Sequence, residues 1–274
     1  MPTLKKIFVV IDPSTDHQTA LLNAEWIASQ DSSIAIHVFA AIHSSSDNSD
    51  ESALERVEMQ RHRAWLEELV DPIRSAGNEV TVEVEWNGQW RDAIAPAAKR
   101  CGANLIVKMA TSHSGTGRRL LKTSDWTLLR HAHCPVYLIK KDNVQIGAKI
   151  LVALDIKRED EIHNQLNEQV IEFGKSLVNT VSGSSLHAVN AYANSDSFVY
   201  PGDVANKIGI ESSEAHTIEG APEKVIPEVV EEIDAGILVI GTAARDGIKA
   251  AVIGNTVEKI LDAVDSNVLT VNAA

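Results

Sequence analysis

The chain has 274 residues, 44% of them apolar and 23% charged, which is the balance of a globular protein long enough for two domains of ordinary size. No apolar run approaches the roughly 18 residues of a membrane span. With only Cys101 and Cys134, a disulfide framework is excluded and a cytoplasmic protein is expected. The net charge of −13 is uneven: residues 1–143 carry 16 Lys and Arg against 18 Asp and Glu, and residues 144–274 carry 9 against 20. So acidic a second half argues against a nucleic-acid partner, whose phosphates it would repel.

In chain order, Val- and Ile-rich runs predict strands near 5–12, 33–42, 79–86, 104–109 and 135–140. Helices are expected near 17–30, 51–76, 89–101 and 124–132, with Asp16 capping the first and Pro96 interrupting or kinking the third. Ser44 to Asp50 is small and polar and reads as a mobile loop. After a short join at Lys141–Gly147 the pattern starts again. Strands are predicted near 148–155, 184–193, 213–218, 236–241 and 267–271, and helices near 161–179, 222–234 and 255–264. Between Ser195 and Ile210 the dipeptide Pro201-Gly202 leaves room for only a short helix.

The second series is a copy of the first. Lys6-Ile7-Phe8-Val9-Val10-Ile11-Asp12 matches Lys149-Ile150-Leu151-Val152-Ala153-Leu154-Asp155 at an offset of 143. Ala103-Asn104-Leu105-Ile106-Val107 matches Ala235-Gly236-Ile237-Leu238-Val239 at an offset of 132, so the second copy has lost 11 residues in between. Alternating apolar strands and helices imply an α/β fold: two repeated, Rossmann-like, doubly wound domains, 1–143 and 144–274, each with a five-stranded parallel sheet.

One stretch stands out chemically. Ile237-Leu238-Val239-Ile240 reads as a buried strand stopping at Gly241, and a loop through Gly247 and Gly254 leads to a helix starting at Asn255 or Thr256. Glycines permit positive φ or close backbone approach, and a helix N-terminus offers free N–H groups, which together suit a phosphate. Asp155 ends the first strand of this copy, where parallel sheets place ligands. It can accept from a ribose hydroxyl or an adenine amine, or it can cap the following turn.

These residues resemble the universal stress protein family in its tandem, two-domain form. Asp12 and Asp155 at the first strand ends carry that resemblance. So do Arg130-His131-Ala132-His133-Cys134-Pro135-Val136 before the last strand and Asp125-Trp126-Thr127-Leu128-Leu129-Arg130 in the helix ahead of it. Nucleotide-binding members carry Gly-x-x-Gly, nine residues, then Gly and Ser or Thr. The second copy supplies Gly241, Ala244, Gly254, Asn255 and Thr256 at the same spacing, with Ala244 for the middle glycine and Asn255 for the hydroxyl residue. The first copy has Met109, Ser112, Lys122 and Thr123 there and no glycine. The resemblance implies that the second domain binds ATP, with magnesium, or a related adenine nucleotide. It implies a rim of Ala153, Asp155, Ala188 and Ile240 facing adenine and ribose. It also implies that strands 135–140 and 267–271 meet edge to edge, and it is compatible with a homodimer of the tandem chain.

Other candidates read as structural. His131, His133 and Cys134 lack a fourth ligand for zinc, and no metal site is expected. His113 with Arg118, Arg119 and Lys122 reads as a solvated loop. Glu223, Lys224, Glu228, Glu231 and Glu232 fit an exposed helix face. No Walker lysine, nucleophile elbow or His-Glu-x-x-His is present, so no catalytic residue is assigned and ATP hydrolysis, if any, is slow. A scaffold or a carrier of a small apolar metabolite is the alternative reading.

Overall fold

The computed structural model describes residues 4–43, 51–110, 123–141, 146–158, 160–242 and 255–272. They fall into two compact units. The first contains β1 (Lys6–Val10), α1 (Thr19–Ser29), β2 (Ala35–Ile42), α2 (Glu51–Ser75), β3 (Val80–Trp86), α3 (Trp90–Arg100), β4 (Leu105–Met109), α4 (Thr123–His131) and β5 (Val136–Ile139). Its strands are parallel in the order β3-β2-β1-β4-β5.

The second unit repeats that plan. It contains β6 (Lys149–Leu154), α5 (Glu161–Thr180), β7 (Ser185–Tyr192), α6 (Pro201–Ile208), β8 (Ala215–Glu219), α7 (Pro222–Glu232), β9 (Ala235–Thr242), α8 (Asn255–Ala263) and β10 (Asn267–Asn272). The order β8-β7-β6-β9-β10 is again all parallel. Right-handed crossovers put the helices that run one way along each sheet on one face and those that run the other way on the opposite face. Accordingly α3 packs on α4, and α7 on α8. In the second unit the direction reverses at β6, between β7 and β9, so its switch point lies at the carboxyl ends of β6 and β9.

The 25-residue α2 is answered in the second unit by the eight-residue α6, which starts on Pro201 and stops at Gly209 with φ +82°. This is the predicted trimming. Its stop is a left-handed residue that glycine adopts without strain.

Three local expectations give way. Asp16 does not cap α1. The cap position is Gln18, whose amide donates to the carbonyls of Asp12 (2.8 Å) and Thr15 (2.6 Å) and so ties the helix start back to the end of β1. Pro96 lies inside α3, so of interruption and kinking it is interruption that gives way, and Ala93, Ile94, Ala97 and Ala98 bury the helix on both sides of it. Strand β9 does not stop at Gly241 but runs to Thr242, which donates to Asn272 Oδ1 at 2.6 Å. The Ser44–Asp50 loop lies outside the described residues. Among the described residues no helix is long and apolar enough to cross a membrane.

Candidate functional site

Asp155 is the first residue past β6, and buried side chains fix its backbone. Asn167 of α5 accepts the Asp155 N–H (3.1 Å) and donates to the Asp155 carbonyl (2.9 Å), while Asn190 of β7 accepts the Ile156 N–H at 3.1 Å. Buried amides are costly unless they are paired, so these bonds hold the strand exit in one shape. Helix α5 is itself held at its start by Asp160, which accepts the His163 N–H at 3.0 Å. The His163 ring and backbone bonds keep the Asp160 carboxyl down at about 2.

The Asp155 carboxylate is exposed, and among the described residues nothing donates to it. Its counterpart in the first unit is differently used: Asp12 Oδ1 accepts from Ser14 N (2.9 Å) and Ser14 Oγ (2.5 Å). At equivalent strand ends, one carboxylate closes a turn and the other is left with open acceptor positions.

A cleft of about 440 Å³ opens beside Asp155. Its lining includes Lys157, Asn190, Tyr192, Ser197 and the Gly220–Pro222 turn. Ser197 belongs to a single helical turn, Ser195–Ser197, and its Oγ accepts the N–H groups of Ala193 and Asn194, both at 3.1 Å. Tyr192 meets Phe198 edge to face (5.3 Å), and Phe198 meets Tyr200 likewise (4.9 Å), so an aromatic row leads outward from the cleft. Gly220 donates its N–H to the Tyr192 carbonyl at 2.9 Å. Its φ of +151° and the nearness of Val225 leave no room for a side chain there. Asn190 Oδ1 is engaged with Ile156, and Asp155 and Lys157 bring opposite charges to the same side.

The predicted residues are distributed as follows. Asp155 lines the cleft. Ala153, Ala188 and Ile240 are buried in the sheet, with Ala188 wholly inaccessible, and none of the three lines the cleft. Gly241 is a β9 residue paired with Val271, and a Cβ on it would strike the Leu166 side chain of α5, coming within 2.6 Å of Cδ2. Packing therefore requires that glycine whether or not an anion is present. Asn255 opens α8, and Thr256 is exposed in its first turn. Ala244, Gly247 and Gly254 lie outside the described residues, as do Ser112, His113, Arg118, Arg119 and Lys122. Sequence reasoning missed Lys157, Asn190, Tyr192, Ser197 and the Gly220–Pro222 turn. The signals were the close aromatic trio Tyr192, Phe198 and Tyr200 and the Gly-Ala-Pro that follows β8.

In the first unit the ground next to the corresponding loop is filled. Lys108 of β4 donates to Asp125 of α4 (2.6 Å) and to the Met109 carbonyl (2.9 Å), with 6% and 0% of the two side chains exposed. At the 132-residue offset the second unit has Ile240 and Val257.

His131 ends α4, and His133 sits in the following turn with Nε2 3.1 Å from the Ala103 carbonyl oxygen. Among the described residues no three His, Cys, Asp or Glu side chains cluster as metal ligands. Burial, with Cys101 nearby, pushes the Cys134 thiol up to about 12, and burial also raises that of Cys101. A thiol reagent added to native protein near neutral pH is expected to leave Cys134 unmodified until denaturant is present. Rapid native labelling at Cys134, read by peptide mass spectrometry, would contradict that burial.

The family model described as the universal stress protein family matches residues 3–140 and again 148–272. The chain is 29% identical to universal stress protein E of Escherichia coli K12 over 299 residues, covering 99% of this chain and 95% of that one. The crystal structure of a putative universal stress protein from Pseudomonas aeruginosa superposes with a TM-score of 0.82 at 26% identity, covering 99% of this chain and 94% of that one. A universal stress protein structure from Archaeoglobus fulgidus shares the fold at a TM-score of 0.75 and 20% identity, over 99% of this chain and all of that one.

Proposed function

The chain belongs to the universal stress protein family, and on that premise we propose that its second unit binds ATP or a related adenine nucleotide beside Asp155, while its first unit serves as a scaffold. The observation that carries this reading is the Asp155 carboxylate, positioned by Asn167 and Asn190 yet accepting from nothing described, at the mouth of a cleft. A carboxylate is acceptor-only and suits a ribose diol or an exocyclic amine. Lys157 supplies a cation on the same side, and Tyr192 offers a ring face or edge to a base. The start of α8 at Asn255 and Thr256, where a helix leaves its first N–H groups without intrahelical acceptors, is the seat this reading gives to phosphate, with magnesium as its counter-ion.

In the first unit the same chemistry is closed off. Asp12 is engaged by Ser14, and Lys108 by Asp125. A nucleotide-responsive binding protein of the cytoplasm, without a nucleic-acid partner, fits this arrangement better than an enzyme. Among the described residues the charged groups lining the cleft are Asp155 and Lys157, and this reading uses both to hold a nucleotide rather than to hydrolyse it.

Titration of the full chain with ATP and magnesium by calorimetry tests the reading. Saturable binding with one nucleotide per chain is expected. Asp155→Ala is expected to weaken it about 10- to 100-fold, the loss of one or two charge-assisted hydrogen bonds, with an unchanged circular dichroism spectrum. No heat at millimolar ATP would remove the nucleotide reading. Saturable binding of an apolar fluorescent probe in its place would favour the metabolite carrier, for which the Tyr192–Phe198–Tyr200 row is the supporting feature.

A further inference from the structure

The second unit carries a pair of histidines that the nucleotide reading does not use. His187 lies on β7 and His216 on β8, the outermost strand of this unit's sheet. Val189 is the register partner of His216, which puts both histidines on one sheet face, and their rings stack with centroids 5.9 Å apart and planes 27° apart. One nitrogen on each ring is buried and has no hydrogen-bond partner among the described residues: His187 Nδ1 and His216 Nε2. The other nitrogen of His187 meets Ser185 Oγ at 3.1 Å.

Helices α6 and α7 pack on these two strands. The charges that act on the pair come from three elements. Glu214, just before β8, favours a proton on His187, Lys149 of β6 opposes it, and Glu232 at the end of α7 favours one on His216. Asp203 and Lys207 of α6 are exposed to solvent. Strand β8 runs directly into Gly220, Ala221 and Pro222, one wall of the cleft, and that wall is tied to β7 by the Gly220 N–H donating to the Tyr192 carbonyl.

We propose that the stacked His187–His216 pair is an acid-sensitive catch: protonating the two rings drives β8, and the cleft wall it leads into, away from β7. Two neutral imidazoles stack without conflict. Two imidazolium ions at this spacing repel, and among the described residues neither buried nitrogen has an acceptor for a new N–H. Burial is the main cause holding both histidines below the usual imidazole value, with the charges of His216 and Lys149 adding to it at His187. A group depressed in the folded state contributes stability that is complete above its unfolded value, about 6.5, and is lost as pH falls through the folded value. Strand β8 is where that loss is felt first, because it is held on one side only within this sheet. The consequence for a bound ligand, release on acidification, rests on the nucleotide reading; the consequence for the strand does not.

Hydrogen exchange of the ligand-free full chain, corrected for intrinsic rates, tests the catch. Between about pH 7.5 and about pH 5, β8 and Gly220 amides are expected to lose protection on the order of ten-fold, while β6 and β9 amides lose much less. His216→Phe keeps a ring in the stack and cannot be protonated. In that variant, protection of β8 at the lower pH is expected to stay within about two-fold of its value at the higher pH. Equal losses in all strands, no loss in β8, or an equally acid-labile His216→Phe would overturn the proposal. Should that variant fail to fold, the imidazole resonances of the unmodified chain decide: titration of both rings below about 6.5 supports the catch, and titration at or above that value overturns it. Because no nucleotide is added, a failure of ATP binding leaves this result standing.

Discussion

Gly241→Ala is expected to destabilise the second unit by about 1–3 kcal/mol, the ordinary cost of forcing a methyl into a packed site. The new Cβ would run into Leu166 Cγ and lie 2.6 Å from Cδ2 and 3.0 Å from Cδ1. Leu166 is buried, and its neighbour Asn167 holds the backbone of Asp155 by two hydrogen bonds. Helix α5 therefore cannot yield to the methyl without loosening the residue at the cleft mouth. If the proposed nucleotide reading holds, a loss of ATP affinity accompanies the loss of stability, even though residue 241 is not among the residues lining the cleft. Urea unfolding of Gly241→Ala, Leu166→Ala and the double variant measures the contact directly. The two changes are expected to be non-additive by about 0.5–3 kcal/mol, because truncating Leu166 makes room for the methyl. Strict additivity would mean that the glycine is there for another reason.

In the first unit the larger effect belongs to Asp125→Ala, expected to cost about 3–5 kcal/mol by leaving the Lys108 ammonium buried and without its counter-charge. That is a sizeable share of the roughly 5–15 kcal/mol that holds a domain together. Asp125 is fully inaccessible and Lys108 nearly so, hence solvent screens the pair little. Lys108→Met combined with Asp125→Leu is expected to be neutral or stabilising by up to about 4 kcal/mol, since two desolvated charges are exchanged for apolar side chains, the residue type that the repeat has at the matching positions 240 and 257. The midpoint of chemical unfolding of the first unit reads both variants. A double variant as unstable as Asp125→Ala would show that the pair contributes net stability. Neither change is expected to create nucleotide binding in the first unit, where Asp12 remains engaged by Ser14 and the glycines are missing.

The candidate site was legible only in part. Asp155 was singled out because a carboxylate directly after Ile150–Leu154 marks the carboxyl end of a buried strand, and the cleft does open there. The turn-capping alternative is realised at Asp12 and, among the described residues, not at Asp155; nothing in the local sequence separates the two, since the difference is whether a nearby hydroxyl reaches the carboxylate. The resemblance implies Ala188 in the rim; on β7 it is wholly inaccessible. Lys108 was visible as a lone charge in the apolar run Leu105–Met109. Its partner, 17 residues on in a helix, was not.

Taken alone, the amino-acid sequence determined the duplication, the alternation of strands and helices, the short α6 and the uneven charge. Each of these is written in local periodicity, in offsets between repeats or in composition, and none depends on which distant residues meet. Tertiary structure decided why position 241 must be glycine, which aspartate is engaged by a neighbouring serine, and how Tyr192, Ser197 and the Gly220–Pro222 turn come together as one wall. It also decided that two histidines 29 residues apart share a stack. These are matters of ångström-scale proximity between separate elements, and proximity is set only when helices dock on the sheet and fix which side chains have room, partners or neither.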